Sequence, residues 1–224
     1  PKNPNFHKVL ANIPWYSWQE QIVFPRLLYT YTLDLVHFPH FNVPIIYRKP
    51  YIVTIHDLIL LEYPTRKASR LNAIMYMIKN IAYRFVISNA VYTAKKIITI
   101  SEYTRQSLVK HFHIPAESME MIYEGVDLEK FNPLNAQDFD FDAYNVMRGK
   151  YLLYVGNVYP HKNIDTLIQV FASLKQKGDI DKDLKLVIIG KKDHFLEGIM
   201  NQVKLLLIED SVIFPGYVPV SYTH

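Results

Sequence analysis

Six short apolar runs in this chain mostly fail to alternate, and that narrows its fold more than any other feature. They lie at residues 34–37, Tyr51–Ile55, 96–100, Tyr151–Val155, 184–189 and, shortest, 212–214. Rich in Val and Ile, they read as strands buried on both faces of a parallel sheet. Between them lie segments of helical period. Leu71, Ile74, Met75, Ile78, Ile81, Ala82 and Phe85 recur at three- and four-residue steps, and this stripe of a long helix reads as core-facing in preference to membrane-facing. Residues 164–174 repeat the pattern behind the Tyr151–Val155 run. Strand, loop and helix in turn predict an α/β, doubly wound architecture.

The alternation runs twice, once before Tyr123 and again after Lys150. Two doubly wound sheets are therefore expected, at 1–131, incomplete at its start, and at 149–224, the first half of a domain. Residues 132–148, with Pro133 and the acids Asp138, Asp140 and Asp142, form the connection between them. The aromatic stretch holding Trp15, Tyr16, Trp18 and Phe24 reads as a packed helix and loop without a Gly-rich turn. An opening strand and glycine loop, if the first sheet has them, lie upstream of Pro1.

Composition excludes several classes. Half of the 224 residues are hydrophobic and 21% are charged, which is globular. The net charge of +4 is spread thinly, without the basic stripe of a nucleic-acid binder, so no nucleic-acid partner is expected. With no cysteine there is no disulfide, thiolate metal site or cysteine nucleophile. That suits a cytoplasmic location. No apolar run approaches the roughly 20 residues that span a bilayer.

Chemistry concentrates where strands end. In YLLYVGNVYPHKN a strand closes on Gly156, Asn157 follows, and a helix begins near Asn163, one residue after Lys162. Open α/β sheets bind ligands at the carboxyl ends of strands, and a helix N-terminus with a lysine beside it suits a diphosphate. The alternative is an ordinary strand-to-helix turn with a surface lysine. Neither a dinucleotide fingerprint nor a Walker pattern is present. In LKLVIIGKK a second strand ends on Gly190 and Lys191, either part of the same cradle or a strand terminator with solvated lysines. In YIVTIHDL, His56 and Asp57 follow a strand. They either face a cleft or serve as a satisfied loop residue and a turn cap. His37 and His40 in VHFPHFNVP lie three apart with no third ligand at a recognisable spacing, so no metal is expected. Ser101 in ITISEYTR reads as a helix cap. In IYEGVDLEKFNP, Gly125 supplies a turn that could lie at a cleft, and Asp127 caps the next short helix.

In this order, VHFPHF, TIHDL, ITISEYTR, IYEGVDLEKFNP, YVGNVYPHKN, LVIIGK and IFPGYVP resemble glycosyltransferase family 4. The resemblance implies a GT-B fold, with an acceptor-binding domain and a nucleotide-sugar-binding domain across a cleft. It also implies retaining transfer of a hexose such as mannose or glucose, without metal or cofactor. The acceptor would be a glycan or glycolipid, in cell-envelope polysaccharide biosynthesis, with room for peripheral contact at the inner face of the membrane. Lys162 matches the donor-phosphate lysine, with Gly156, Asn157, Gly190 and Lys191 around it. Asn157 stands where many members carry arginine. His56 matches the cleft histidine, expected near the reacting carbon, with His37, His40, Asp57, Ser101 and Gly125 as acceptor or cleft residues. A glycine-rich loop at the start and a Glu-x7-Glu segment beyond IFPGYVP belong to the family pattern and are not in these 224 residues. The resemblance thus implies that the chain as given is inactive, and the uncovered edge of half a sheet implies marginal stability or poor solubility. A non-catalytic GT-B-like binding module and a sugar-nucleotide epimerase are the alternatives.

Overall fold

The computed structural model describes residues 3–64, 72–126, 128 and 149–216. It divides into two compact units, Pro1–Gly125 and Val126–His224. The expected connection at 132–148 and the expected cap at Asp127 lie outside the described residues.

The first unit is a parallel sheet of β1 (Val36–Phe38), β2 (Tyr51–Ile55), β3 (Lys96–Thr99) and β4 (Met119–Met121), paired in that order. Around it lie α1 (Trp18–Tyr29), α2 (Ile59–Glu62), α3 (Ala73–Thr93) and α4 (Glu102–Phe112). Val53, Ile55, Ile87 and Leu108 are fully enclosed in one core. Burying each aliphatic side chain of this kind is worth roughly 1.5–3 kcal/mol. Tyr51 ties α3 to the sheet, its hydroxyl 3.3 Å from the Ala90 carbonyl and 2.5 Å from Thr93 Oγ1. Glu62 ties α2 to α4, accepting from Ser107 Oγ at 2.7 Å and Tyr103 Oη at 3.0 Å.

Three expectations need correction here. The first strand is shifted to Val36–Phe38, because residues 34–35 precede the register that pairs Val36 with Tyr51. The aromatic stretch forms the expected helix from Trp18, but Trp15, Tyr16 and Trp18 are exposed, not packed. The third concerns α3. Its side toward the sheet carries Tyr83, Ile87, Ala90 and Val91, whereas Ile74, Met75, Ile78, Ile81 and Phe85 are exposed. Both sides of this helix are apolar, and the side with tyrosines faces in.

The second unit is a parallel sheet in the order β5 (Tyr151–Val155), β6 (Lys185–Ile189) and β7 (Val212–Gly216). Helix α5 (Ile164–Lys177) follows β5, and α6 (His194–Leu205) follows β6. Ile164, Ile168, Phe171 and Ala172 form the buried stripe of α5; Leu196, Ile199 and Val203 form that of α6. Both pack with Leu186 and Ile188 into one core. Gly178 closes α5 with φ of +74°, which glycine adopts without a Cβ penalty. Strand β5 was expected to be buried on both faces, yet Leu152, Leu153 and Val155 are each about half exposed. Among the described residues it is an edge strand.

Candidate functional site

In the first unit, the ends of all four strands contribute polar groups. His37, in β1, has its Nε2 2.9 Å from Thr54 Oγ1 of β2. His56, just beyond β2, donates from Nε2 to the Pro39 carbonyl at 2.9 Å, and its Nδ1 lies 3.0 Å from Glu124 Oε1. A carbonyl thus faces one ring nitrogen and a carboxylate faces the other. Thr104 Oγ1 donates to the His56 carbonyl at 2.9 Å, which fixes the backbone from the α4 side. His56 therefore joins three separate sequence segments, two at its imidazole and one at its carbonyl.

The neighbouring candidates serve local structure. Asp57 Oδ1 accepts from Ile59 N at 3.0 Å, opening α2. Ser101 Oγ accepts from Thr104 N at 3.2 Å and caps α4. Gly125 is not among the glycines with positive φ, and an added Cβ would meet nothing within 4 Å. The chain geometry there does not demand glycine.

Beside His37 lies a cavity of about 570 Å³. Its wall is largely apolar, from Phe24, Leu28, Val36 and Phe38, and Tyr16, Glu20, His40 and Asn42 bring the polar groups. Glu20 Oε2 accepts from Tyr16 N at 2.7 Å and also from Asn42 Nδ2, fastening the turn before α1 to the loop after β1. Tyr16 holds φ of +55°, a left-handed conformation that costs energy for a tyrosine. Its hydroxyl is 3.5 Å from His40 Nε2, and His40 Nδ1 accepts from Asn42 N at 3.3 Å. Burial first, then the charge of His56, lowers the His40 pKa below its usual value, against a smaller opposing pull from Asp57. Burial likewise raises the Tyr83 hydroxyl pKa far above the ordinary phenol value.

The second unit presents a different surface. Each of its three strands meets a glycine, Gly156, Gly190 and Gly216, at its carboxyl end. Gly156 has φ of +146° and donates its N–H to the Ile189 carbonyl at 2.9 Å. A Cβ on Gly190 would stand 2.5 Å from the Gly156 carbonyl oxygen. After Gly156 the chain passes Asn157, whose carbonyl accepts from Tyr154 Oη at 2.7 Å, and the 3₁₀ turn Pro160–Lys162. Asn163, at φ of +54°, then begins α5. No side chain caps α5, because Asn163 Oδ1 accepts from Thr166 Oγ1 instead. Helix α6 differs: Asp193 Oδ1 accepts from Phe195 N and Leu196 N at 3.0 and 3.1 Å. An anion approaching α5 meets open N–H groups beside exposed Lys162, whereas α6 carries its own carboxylate. Lys191, after β6, is exposed as well.

Sequence reasoning missed Glu124, Glu20, Tyr16, Asn42 and Gly216 as parts of these sites. Glu124 and Gly216 lie inside motifs that had been recognised, but contacts such as Glu124 to His56 span the fold and leave no local signal. Among the described residues, no cluster of three or more His, Asp or Glu side chains could hold a metal.

Residues 3–130 match the family described as Glycosyltransferase Family 4, and residues 136–223 match Glycosyl transferases group 1. The chain belongs to glycosyltransferase family 4. Its two parallel α/β units have the Rossmann-like build of the GT-B fold. Among curated relatives, the family member is 23% identical over 205 residues to the O-antigen chain mannosyltransferase RfbU of Salmonella typhimurium, covering 92% of this chain and 50% of that one. It is 30% identical over 151 residues to a Campylobacter jejuni N-acetylgalactosamine-N,N'-diacetylbacillosaminyl-diphospho-undecaprenol 4-alpha-N-acetylgalactosaminyltransferase, covering 65% and 37%. The chain thus spans half or less of the length of these relatives. The solved structure of Anabaena Alr3699/HepE in complex with UDP and glucose shares its fold at a TM-score of 0.63 and 16% identity, covering 88% of this chain and 51% of that one.

Proposed function

We propose that this chain forms part of a hexosyltransferase that moves a sugar such as mannose or glucose from a nucleoside-diphosphate donor to a glycan or lipid-linked acceptor, with retention. In this reading the bond from the anomeric carbon to the diphosphate oxygen breaks, an acceptor hydroxyl oxygen bonds to that carbon, and the hydroxyl proton leaves with the departing nucleoside diphosphate. One observation carries the reading: α5 opens uncapped behind the glycine turn at Gly156, next to Lys162, while its neighbour α6 is capped by Asp193. The leaving diphosphate would rest on the α5 N–H groups and Lys162, with Asn157, Gly190 and Lys191 at its edge, and would need neither metal nor cofactor. His56 would meet the sugar by exchanging Glu124 for a sugar hydroxyl. The cavity bounded by His37 and His40 would take the acceptor.

The names of the relatives support the same chemistry. One is named an O-antigen chain mannosyltransferase, one is named for a diphospho-undecaprenol-linked sugar, and one structure holds UDP and glucose. A lipid-linked acceptor would bring the protein to the inner face of the membrane.

Titration of the purified protein with UDP and GDP, with and without Lys162→Ala, tests the reading. Loss of a charge-assisted phosphate contact is expected to weaken diphosphate binding by roughly ten- to a hundred-fold. Unchanged affinity removes Lys162 from the site, and no binding of either nucleotide by the wild type removes the donor reading.

A further inference from the structure

Two of the three contacts on His56 come from parts of the first unit that are themselves fastened. Its carbonyl accepts from Thr104 Oγ1 at 2.9 Å, and its Nε2 donates to the Pro39 carbonyl at 2.9 Å. The loop that carries Pro39 is tied to α1, where Glu20 Oε2 accepts from Asn42 Nδ2 and Gln21 Oε1 accepts from Ile45 N at 2.9 Å. The other ring nitrogen, Nδ1, meets the Glu124 carboxylate at 3.0 Å. An imidazole has two flipped orientations about its bond to Cβ, and one alone places both nitrogens on these partners.

Glu124 is the partner that is not fastened. It follows β4, and among the described residues the last main-chain bond from this segment to the sheet is Ile122 N to the Thr99 carbonyl, at 2.9 Å. Residues 123–126 are exposed. Among the described residues, His56 is the one partner of the Glu124 carboxylate. Glu62 shows the contrast, since its largely buried carboxylate joins two helices through Ser107 and Tyr103. With the His56 and Glu124 side chains 39 and 63% exposed, their contact adds little to stability. A carboxylate without a task in the fold, beside a ring nitrogen that faces solvent with it, is free to meet a ligand.

We propose that Glu124 determines which ligand group His56 accepts, and that this group is a sugar hydroxyl held between Nδ1 and the Glu124 carboxylate. A hydroxyl carries one donor proton and two acceptor lone pairs, so it can face a ring nitrogen and a carboxylate together. A ligand edge that lacks the hydroxyl leaves the carboxylate without a partner, and sites built to bond a hydroxyl reject such analogues strongly. The inference deepens the reading above and rests on it for the sugar; the contact between Glu124 and His56 stands on the geometry alone.

The test is the rate at which diethyl pyrocarbonate modifies His56 in the purified chain, read by peptide mass spectrometry against the exposed His113. Without ligand, Glu124→Ala should react roughly two- to ten-fold faster at His56, the change that one net hydrogen bond controls. Glu124→Gln, whose amide can both donate and accept, should stay close to the wild type. Ligand is then added as UDP-glucose or GDP-mannose, with UDP and GDP as controls, and separately as methyl α-mannoside. Protection of wild-type His56 by the sugar nucleotides and not by the bare diphosphates assigns the hydroxyl to the donor; protection by the methyl glycoside assigns it to the acceptor. In either case Glu124→Ala should need roughly ten- to a hundred-fold more ligand for the same protection, as for a lost hydrogen bond to a charged group, and Glu124→Gln should recover most of it. Tighter protection in Glu124→Ala would mean that the carboxylate merely competes for Nδ1, and overturns the proposal. So do equal reactivity of the wild type and Glu124→Ala, protection by neither class of ligand, or a melting temperature of Glu124→Ala well below that of the wild type, which would give the carboxylate a role in the fold. The donor reading fails separately, if titration with UDP and GDP detects no binding while the methyl glycoside still protects His56.

Discussion

Replacing Gly190 with alanine should damage the second unit far more than its single added methyl group suggests. The new Cβ would stand 2.5 Å from the Gly156 carbonyl oxygen, a distance at which something must shift. That oxygen belongs to backbone, and Gly156 is held on its other side by its N–H bond to the Ile189 carbonyl. Gly190 itself donates to the Gly216 carbonyl at 3.2 Å, so retreat in that direction strains a second strand pairing. Overpacking of this kind costs about 1–3 kcal/mol, and a rigid backbone collision belongs in the upper half of that range. For a unit of this size each kcal/mol moves the melting temperature by roughly 4–8 °C, which predicts a loss of about 8–24 °C. Gly198→Ala is the matched control. It lies within α6, a Cβ there would meet nothing within 4 Å, and it should raise stability by about 0.5–1 kcal/mol. Thermal melts followed by circular dichroism compare the two directly. If Gly190→Ala melts within about 2 °C of the wild type, the close packing of the strand ends is not what requires glycine. If it then loses diphosphate binding at unchanged stability, the glycine is there for the ligand.

Three other outcomes are expected. Asp193→Ala removes the acceptor for Phe195 N and Leu196 N and should cost about 1 kcal/mol in urea unfolding; no change would mean solvent caps α6 equally well. Because the folded protein holds His40 below its usual value, the unfolded chain takes up a proton first, starting near the ordinary histidine value of about 6.5. Stability should therefore fall as pH drops below that value, His40→Gln should flatten the slope, and urea midpoints across the range would reveal an identical slope if the reasoning is wrong. In an active form of the enzyme His56→Ala should lower kcat more than it raises donor KM, whereas a loss in KM alone would assign His56 a binding role only.

Much of this architecture was readable because its strands are short, apolar and closed by glycine. The run Tyr151–Val155 appears as a strand with unchanged bounds, and the 184–189 run loses only Leu184. Strand β4 escaped notice because Met119, Glu120 and Met121 are three residues with a charge in the middle, too few to show a pattern. In α3 the period was right and the face was wrong. Periodicity reports that a stripe exists, but not which of two apolar stripes meets the sheet, and Tyr83 on the inner side looked the more polar. The site divides along the same line. The strand, turn and helix around Gly156 and Lys162 were legible as local structure, whereas the His56–Glu124 contact joins residues that only the sheet brings together.

The glycines that close β5, β6 and β7 leave the end of the second sheet faced by main chain. Peptide dipoles have no rotamers to freeze, so a partner that docks on them orders little that was previously free. They are also unaffected by most mutations, because changing a neighbouring side chain leaves an amide where it was. The three glycine positions themselves are the exception, and Gly190, with no room for even one carbon, is the least replaceable of them. Such a rim can keep its shape while the residues around it drift.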